Sequence, residues 1–266
     1  MAWAAAAVIG AGCAHGPGGR QAVAPAEPPA HVRLLTVNDF HGQLSAGKRV
    51  LGRPAGSAGV LMAWLLAARA GAEASTVLAS AGDLVGASPP ASALLQDEPS
   101  VALVNRFANP ACHPMSEGGL QHIAVPPEVD PRFRPWLDPA CNVVGTVGNH
   151  EFDEGRAELM RLLVGGNHPR GPFLDKPWTG ARFPTLAANV VDRATGKPIL
   201  PPYVVKQLDG VKVGFIGVVL RDVPQLVTPA GVAELDFLDE AEAVNRWVPV
   251  LRAQGVRAIV VLAHQG

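Results

Sequence analysis

The 266-residue chain is 48% hydrophobic and only 17% charged, with a formal net charge of −1. That length supports one α/β core, or one core plus a fragment. The near-neutral balance does not suggest a nucleic-acid surface, which needs clustered Lys and Arg. Twenty-nine glycines and 25 prolines imply many or long loops.

Residues 1–12 are apolar and Ala-rich but too short to cross a bilayer stably as a helix. They read as the apolar region of an export signal, although the usual basic start is missing. Cys13 follows Ile9-Gly10-Ala11-Gly12, and small residues before a Cys are similar to a lipoprotein cleavage site. Gly10 stands where that site usually has a large aliphatic residue. Plain secretion and lipid anchoring therefore both stay open, and either places the protein in the periplasm or cell envelope. Cys13 is the single expected point of membrane attachment. Residues 13–30 are rich in Gly, Ala and Pro without periodicity, and read as a flexible tether. Setting Cys13 aside leaves Cys112 and Cys141, either a disulfide or two buried thiols. A disulfide would contribute about 3–4 kcal/mol in the chain-entropy model.

Val32 to Val37 is a β-type run ending in Asn38-Asp39-Phe40-His41-Gly42, where Asp39 and His41 point the same way. Val60 to Ala67 has helical content and is apolar on most sides, so it is expected buried against a sheet, with Met62 and Trp64 in the core. Thr76 to Ala81 is a buried strand ending at Gly82-Asp83, and strand, helix, strand reads as a right-handed βαβ unit. Asp97-Glu98-Pro99 opens a helix. From Asn109 to Pro139 the chain is irregular, the mark of a functional loop or an insertion. His113 and His122 in it read as solvated.

The strand from Cys141 to Val147 delivers the stretch around which the chain is organised, Gly148-Asn149-His150-Glu151-Phe152-Asp153. An amide, an imidazole and carboxylates there stand at a strand's carboxyl end, where open α/β sheets place ligands. Asp153 is expected to N-cap the next helix, whose Leu159, Met160, Leu162 and Leu163 face inward, and Glu151 to serve as a helix N-terminal acid. Gly165-Gly166 stops that helix. His168 reads as structural. Phe183 to Val190 is a short strand, and Asp209-Gly210 joins two strands in a hairpin. Asp239 caps a helix to about Ala253, bent at Pro249. A last strand from Val256 to Leu262 ends at His264.

Asp39, His41, Asp83, Asn149, His150 and His264 thus all follow apolar strands. In one α/β layer those ends would share an edge. Oxygen and imidazole donors suit Zn, Mn, Mg or a related divalent ion. One carboxylate can bridge two ions about 3.5–4 Å apart, and Asp83 on its short turn is the natural bridge. Two such ions can hold a phosphate ester and activate a water for in-line attack.

Four stretches in order, Asn38 to Gly42, Gly82-Asp83, Gly148 to Asp153 and Leu262-Ala263-His264-Gln265-Gly266, carry a resemblance. From Val32 onward the chain resembles the calcineurin-like metallophosphoesterases, in the 5′-nucleotidase/UDP-sugar hydrolase/2′,3′-cyclic phosphodiesterase branch. Gly82 to Pro89 and Asp97-Glu98-Pro99 support that branch. The resemblance implies an α/β fold of layered β-sheets flanked by helices. It implies Asp39 and His41 on a first divalent metal, Asp83 bridging, Asn149 and His264 on a second, and a catalytic dyad of His150 and Asp153. It gives Asn189 a strand-end position without a catalytic role.

The family completes its site with a later Gly-His-x-His segment and a C-terminal nucleotide-specificity domain. Neither occurs here, so 31–266 is expected to be an incomplete catalytic domain whose own activity stays open. The reading is a metal-dependent phosphoric ester hydrolase, of 5′-nucleotidase type, acting on nucleotides or other phosphate esters. The alternative is a non-catalytic, surface-anchored metal- or ligand-binding module on the same fold.

Overall fold

The computed structural model describes residues 30–114 and 139–265. The export-type segment, Cys13, His122 and most of the loop after Asn109 lie outside the described residues. The elements in order are β1 (Arg33–Val37), β2 (Arg49–Val50), β3 (Arg53–Pro54), α1 (Ala58–Arg69), β4 (Thr76–Ala81), α2 (Pro90–Ala93) and α3 (Glu98–Phe107). Then come β5 (Val143–Thr146), α4 (Arg156–Val164), β6 (Thr185–Leu186), β7 (Val190–Asp192), β8 (Tyr203–Leu208) and β9 (Val211–Val219). Last are α5 (Val223–Leu226), α6 (Pro229–Val232), β10 (Leu235–Phe237), α7 (Glu240–Ala253) and β11 (Ala258–His264).

Two sheets face each other, not one. The first has the order β1-β4-β5-β6, all parallel. The second has the order β11-β9-β8, with β11 parallel and β8 antiparallel to β9. Alternation along each strand explains the stacking. In β4, Val77 and Ala79 face the second sheet's Val204, Val213, Phe215 and Leu262, while Leu78 faces α3 and α4 through Val101, Phe107, Leu159 and Leu162. On the second sheet's outer face, Ile216 and Val218 bury Trp247 and Leu251 of α7. The result is a helix–sheet–sheet–helix stack. Gly217 lets the sheets close, since a Cβ there would come within 2.6 Å of Leu186 and Thr146.

The hairpin at Asp209-Gly210 forms as its turn chemistry requires, and Asp239 accepts from Glu242 N–H at 3.0 Å to cap α7, which runs through Pro249. Two readings need correction. Only Ala58 of α1 is fully buried; Met62 and Leu65 pack on the core, but Trp64 is 73% exposed. An all-round apolar helix does not say which face meets the sheet. Asp153 does not cap α4, which begins at Arg156 behind Gly155, because its carboxylate is held by His150.

Candidate metal centre and catalytic dyad

Because β1, β4 and β5 are parallel neighbours, the loops leaving them lie at one rim, and backbone bonds fasten the first to the second. Asp39 and His41 N–H donate to the carbonyls of Gly82 and Asp83 at 3.2 and 3.0 Å. β11 of the facing sheet lies against β4 and β5 and brings His264 to the same rim. Asp39, His41 and Asp83 all have left-handed backbone, with φ of 51°, 45° and 51°. For non-glycine residues that costs about 1 kcal/mol or more each, and such strain gathers at functional sites.

Asp83 is the hub. Donor atoms of His41, Asp83 and His150 lie within 4.8 Å of one another, as do those of Asp39, Asp83 and His264. His41 Nε2 is 3.6 Å from Asp83 Oδ2 and 3.9 Å from Asp39 Oδ1. His264 Nε2 is 3.2 Å from Asp83 Oδ2 and 3.2 Å from Asn149 Oδ1. All six residues named from the strand ends thus gather at one place. Tautomers follow from the outer partners: His41 Nδ1–H donates to Gly86 C=O and His264 Nδ1–H to Ala81 C=O, each at 2.9 Å. A neutral His264 would then aim a lone pair at two oxygen lone pairs. Such a convergence needs a cation or a proton between its members, so the donor set fits a divalent metal. The hydrogen bond to Asp83 outweighs burial and pushes the His264 pKa up to about 9. Burial acts to raise the pKa of Asp83, but bonds from His264 and the His150 N–H hold it below its ordinary value.

Glu151 has a role that sequence reading missed. It is no ordinary helix N-terminal acid but a buried clamp. Its Oε1 accepts from Leu84 N–H at 2.8 Å and Val85 N–H at 3.4 Å. Its Oε2 accepts from Asp83 N–H at 3.0 Å and from Gly148 N–H. One carboxylate therefore ties the loop after β4 to the loop after β5, setting Asp83 against Asn149 and His150. Desolvation first, then the nearby Asp83 charge, raises its pKa, opposed by those N–H bonds. The available signal was Gly82 and Gly148, whose turns leave backbone N–H groups in need of an acceptor. Both glycines are required: a Cβ on Gly148 would sit 2.1 Å from Asp83 Oδ1, and one on Gly82 would sit 2.7 Å from His264 Nδ1.

His150 and Asp153 form a pair at 2.7 Å between Nδ1 and Oδ2. Burial lowers the His150 pKa, but the Asp153 hydrogen bond and charge outweigh it, and the net shift is upward. His150 also packs edge-on against His41, with ring centroids 4.9 Å apart. Other named residues lie elsewhere. Cys112 and Cys141 are disulfide-bonded at the amino end of β5, away from the rim. His168 is buried and accepts from Arg170 N–H. Asn189 is a brace, donating to the carbonyls of Val219 and Leu238 and accepting from Val219 N–H.

No family model matches the chain. Among curated proteins it is 37% identical over 246 residues to endonuclease YhcR of Bacillus subtilis, covering 89% of this chain and 17% of that protein. It is 38% identical over 246 residues to cell wall protein Lmo0130 of Listeria monocytogenes, covering 88% and 27%. It is 31% identical over 121 residues to a 5′-nucleotidase of Vibrio cholerae, covering 45% and 19%. The 5′-nucleotidase precursor of Thermus thermophilus superposes with a TM-score of 0.54 at 25% identity, over 88% of this chain and 37% of that one. Calcineurin-like phosphoesterase YfkN of Bacillus subtilis shares the fold, with a TM-score of 0.57 at 21% identity, over 90% and 63%. Over the N-terminal region of those proteins the chain is homologous to 5′-nucleotidases, YhcR and Lmo0130, and it has the fold of the calcineurin-like phosphoesterases. It spans about a sixth to a quarter of the length of YhcR and Lmo0130. The metallophosphoesterase fold is the two-sheet stack described above, and the rim on which Asp83 sits is its candidate metal centre.

Proposed function

We propose that this metallophosphoesterase region hydrolyses phosphate esters of nucleotides at the Asp83 rim, with two divalent cations as cofactors. The observation that carries the reading is the double use of Asp83, which belongs to two overlapping donor groups beside an intact His150–Asp153 pair. Following the resemblance, Asp39, His41 and Asp83 would hold one cation, and Asp83, Asn149 and His264 the other; His41 lies 3.9 Å from Asp39 and His264 3.2 Å from Asn149. When bound, the cations supply positive charge for the phosphoryl oxygens and a water acidic enough to attack phosphorus. Asp153 holds Nδ1 of His150, so Nε2 is the ring nitrogen left to act on a substrate. The Asp153 hydrogen bond and charge favour the protonated ring, raising its pKa above the ordinary histidine value. His150 can then stabilise charge on the phosphoryl group or protonate the leaving oxygen.

The test is release of phosphate from nucleoside monophosphates, and cleavage of a phosphodiester, with Mn or Zn supplied. Turnover should stop with a chelator and fall sharply in Asp83→Asn and His150→Ala. Undiminished turnover in both variants would end the reading. Metal uptake without cleavage of either ester would favour a binding module instead, a reading the intact dyad speaks against. Export to the cell envelope is proposed from the apolar start, the Cys112–Cys141 disulfide and the naming of Lmo0130 as a cell wall protein. Attachment through Cys13 is part of that proposal, and labelling with a radioactive fatty acid tests it.

A further inference from the structure

We propose that the β2–β3 tip and the outer face of α1 form one surface that seats on an anionic lipid bilayer. The proposal goes beyond the hydrolase reading and does not depend on it.

Between Asp39 and Glu73 the chain carries no acid, yet it carries Lys48, Arg49, Arg53 and Arg69 in a protein of net charge −1. Arg49 pairs with Pro54 and Val50 with Arg53, which leaves Leu51-Gly52 as the turn. Leu51 is 97% exposed and Val50 63% exposed. Leu51 also has left-handed backbone, φ 48°, at a turn position that ordinarily takes Asn, Asp or Gly. A large aliphatic side chain at the tip therefore stands where both solvent and backbone disfavour it. Lys48, Arg49 and Arg53 flank it and are exposed; Lys48 is bonded to Gln43 Oε1 and Arg49 to the Gly52 carbonyl, both uncharged, so the positive charge is retained.

A second exposed apolar stretch lies on α1, the element that follows the hairpin. Val60, Ala63, Trp64 and Ala67 are all exposed at one-face helical spacing. Gly56 lies in the short connection from β3 to α1, and a Cβ there would lie 3.1 Å from Val60, so the stripe begins where that connection ends. Aliphatic side chains at the hairpin tip flanked by Lys48, Arg49 and Arg53, together with an exposed Trp on α1, match a headgroup region of negative charge over an acyl boundary. A protein partner would need acids to answer those cations, whereas anionic lipid supplies them at any orientation. No described helix is long and apolar enough to cross a membrane, so the contact is peripheral. An acyl chain at Cys13, expected from the sequence, would be the second of the two signals that stable anchoring takes.

The test is co-sedimentation of the full, unacylated chain with phosphatidylcholine vesicles, with and without phosphatidylglycerol. The expected result is binding that needs phosphatidylglycerol, weakens as salt rises, and falls about fivefold for each of Lys48, Arg49 and Arg53 changed to Gln. Leu51→Glu and Trp64→Glu should each lower it about tenfold or more. Both side chains are exposed, so circular dichroism and metal uptake should stay unchanged. Equal binding to both vesicle types, or full binding by both Glu variants, would overturn the proposal. So would concentration-dependent self-association that Leu51→Glu abolishes while vesicles bind nothing, which would make the surface an interface between copies.

Discussion

Replacing Glu151 by Gln tests whether one buried carboxylate assembles the centre. Each Glu151 oxygen accepts two backbone N–H groups, Leu84 and Val85 on one, Asp83 and Gly148 on the other. Gln keeps the size but turns one oxygen into an amide N–H₂, so either rotamer sets a donor against two donors. Two buried N–H groups then lose their acceptor, at about 1–3 kcal/mol each. Removing a carboxylate that is desolvated beside Asp83 returns part of this, since burial and that charge already raise its pKa. The net loss is about 2–4 kcal/mol, a large share of the 5–15 kcal/mol typical of a domain. Urea unfolding followed by circular dichroism reads the stability, and calorimetric titration with Mn reads the site. Metal affinity should fall alongside stability, because the loops after β4 and β5 are no longer tied. A variant within about 0.5 kcal/mol of the parent, binding metal equally well, would refute the clamp.

Gly148→Ala should damage the same loops by a different route, since its Cβ would lie 2.1 Å from Asp83 Oδ1 and 2.7 Å from Asp83 N. About 2–3 kcal/mol of destabilisation with weakened Mn uptake is expected, and titration calorimetry would show whether uptake instead survives. The folded-state pKa of His264 is raised to about 9, above its unfolded value of roughly 6.5. Its pairing with Asp83 therefore stabilises the chelator-treated protein fully below about pH 6.5, and that stability is lost as pH rises through about 9. A urea midpoint that stays level from neutral pH to beyond that point would contradict this. Metal entry must also expel that proton, visible as buffer-dependent binding heat near pH 8. Opening the disulfide with Cys112→Ser and Cys141→Ser frees a loop of sequence separation 29. The expected loss is about 3–4 kcal/mol, read from the shift in urea midpoint; an unmoved midpoint would show that the bond constrains little.

Much of the site could be read along the chain because each of its parts is local. An apolar run that ends in Asp39-Phe40-His41, Gly82-Asp83 or Asn149-His150 announces a strand and what stands at its carboxyl end. The Asp153 error shows the limit of that logic. An acid just before a helical pattern is a good N-cap by sequence, but His150 lies three residues earlier and takes the carboxylate first. Trp64 shows a second limit: an apolar helix does not declare which face meets solvent, and α1 turns its tryptophan outward. Glu151 shows a third: Gly82 and Gly148 signal that N–H groups there need an acceptor, but its donors Asp83, Leu84 and Val85 are remote in sequence, so nothing local says which residue supplies it.

The sequence by itself located β1, β4, β5, β8, β9 and β11 to within a few residues, the order of the ligand-type side chains near their ends, the βαβ beginning and the hairpin at Asp209-Gly210. These follow from periodicity and turn chemistry, which act over a few residues. Phe183 to Val190, by contrast, divides into β6 and the start of β7, and β2, β3 and β10 carried no signal. Tertiary structure decided that His264 reaches Asp83 from a second sheet, that Glu151 binds two loops into one frame, and that Leu51 and Trp64 stay outside the core. Those outcomes depend on which apolar faces meet when the sheets stack, a choice made by packing among segments far apart in the chain.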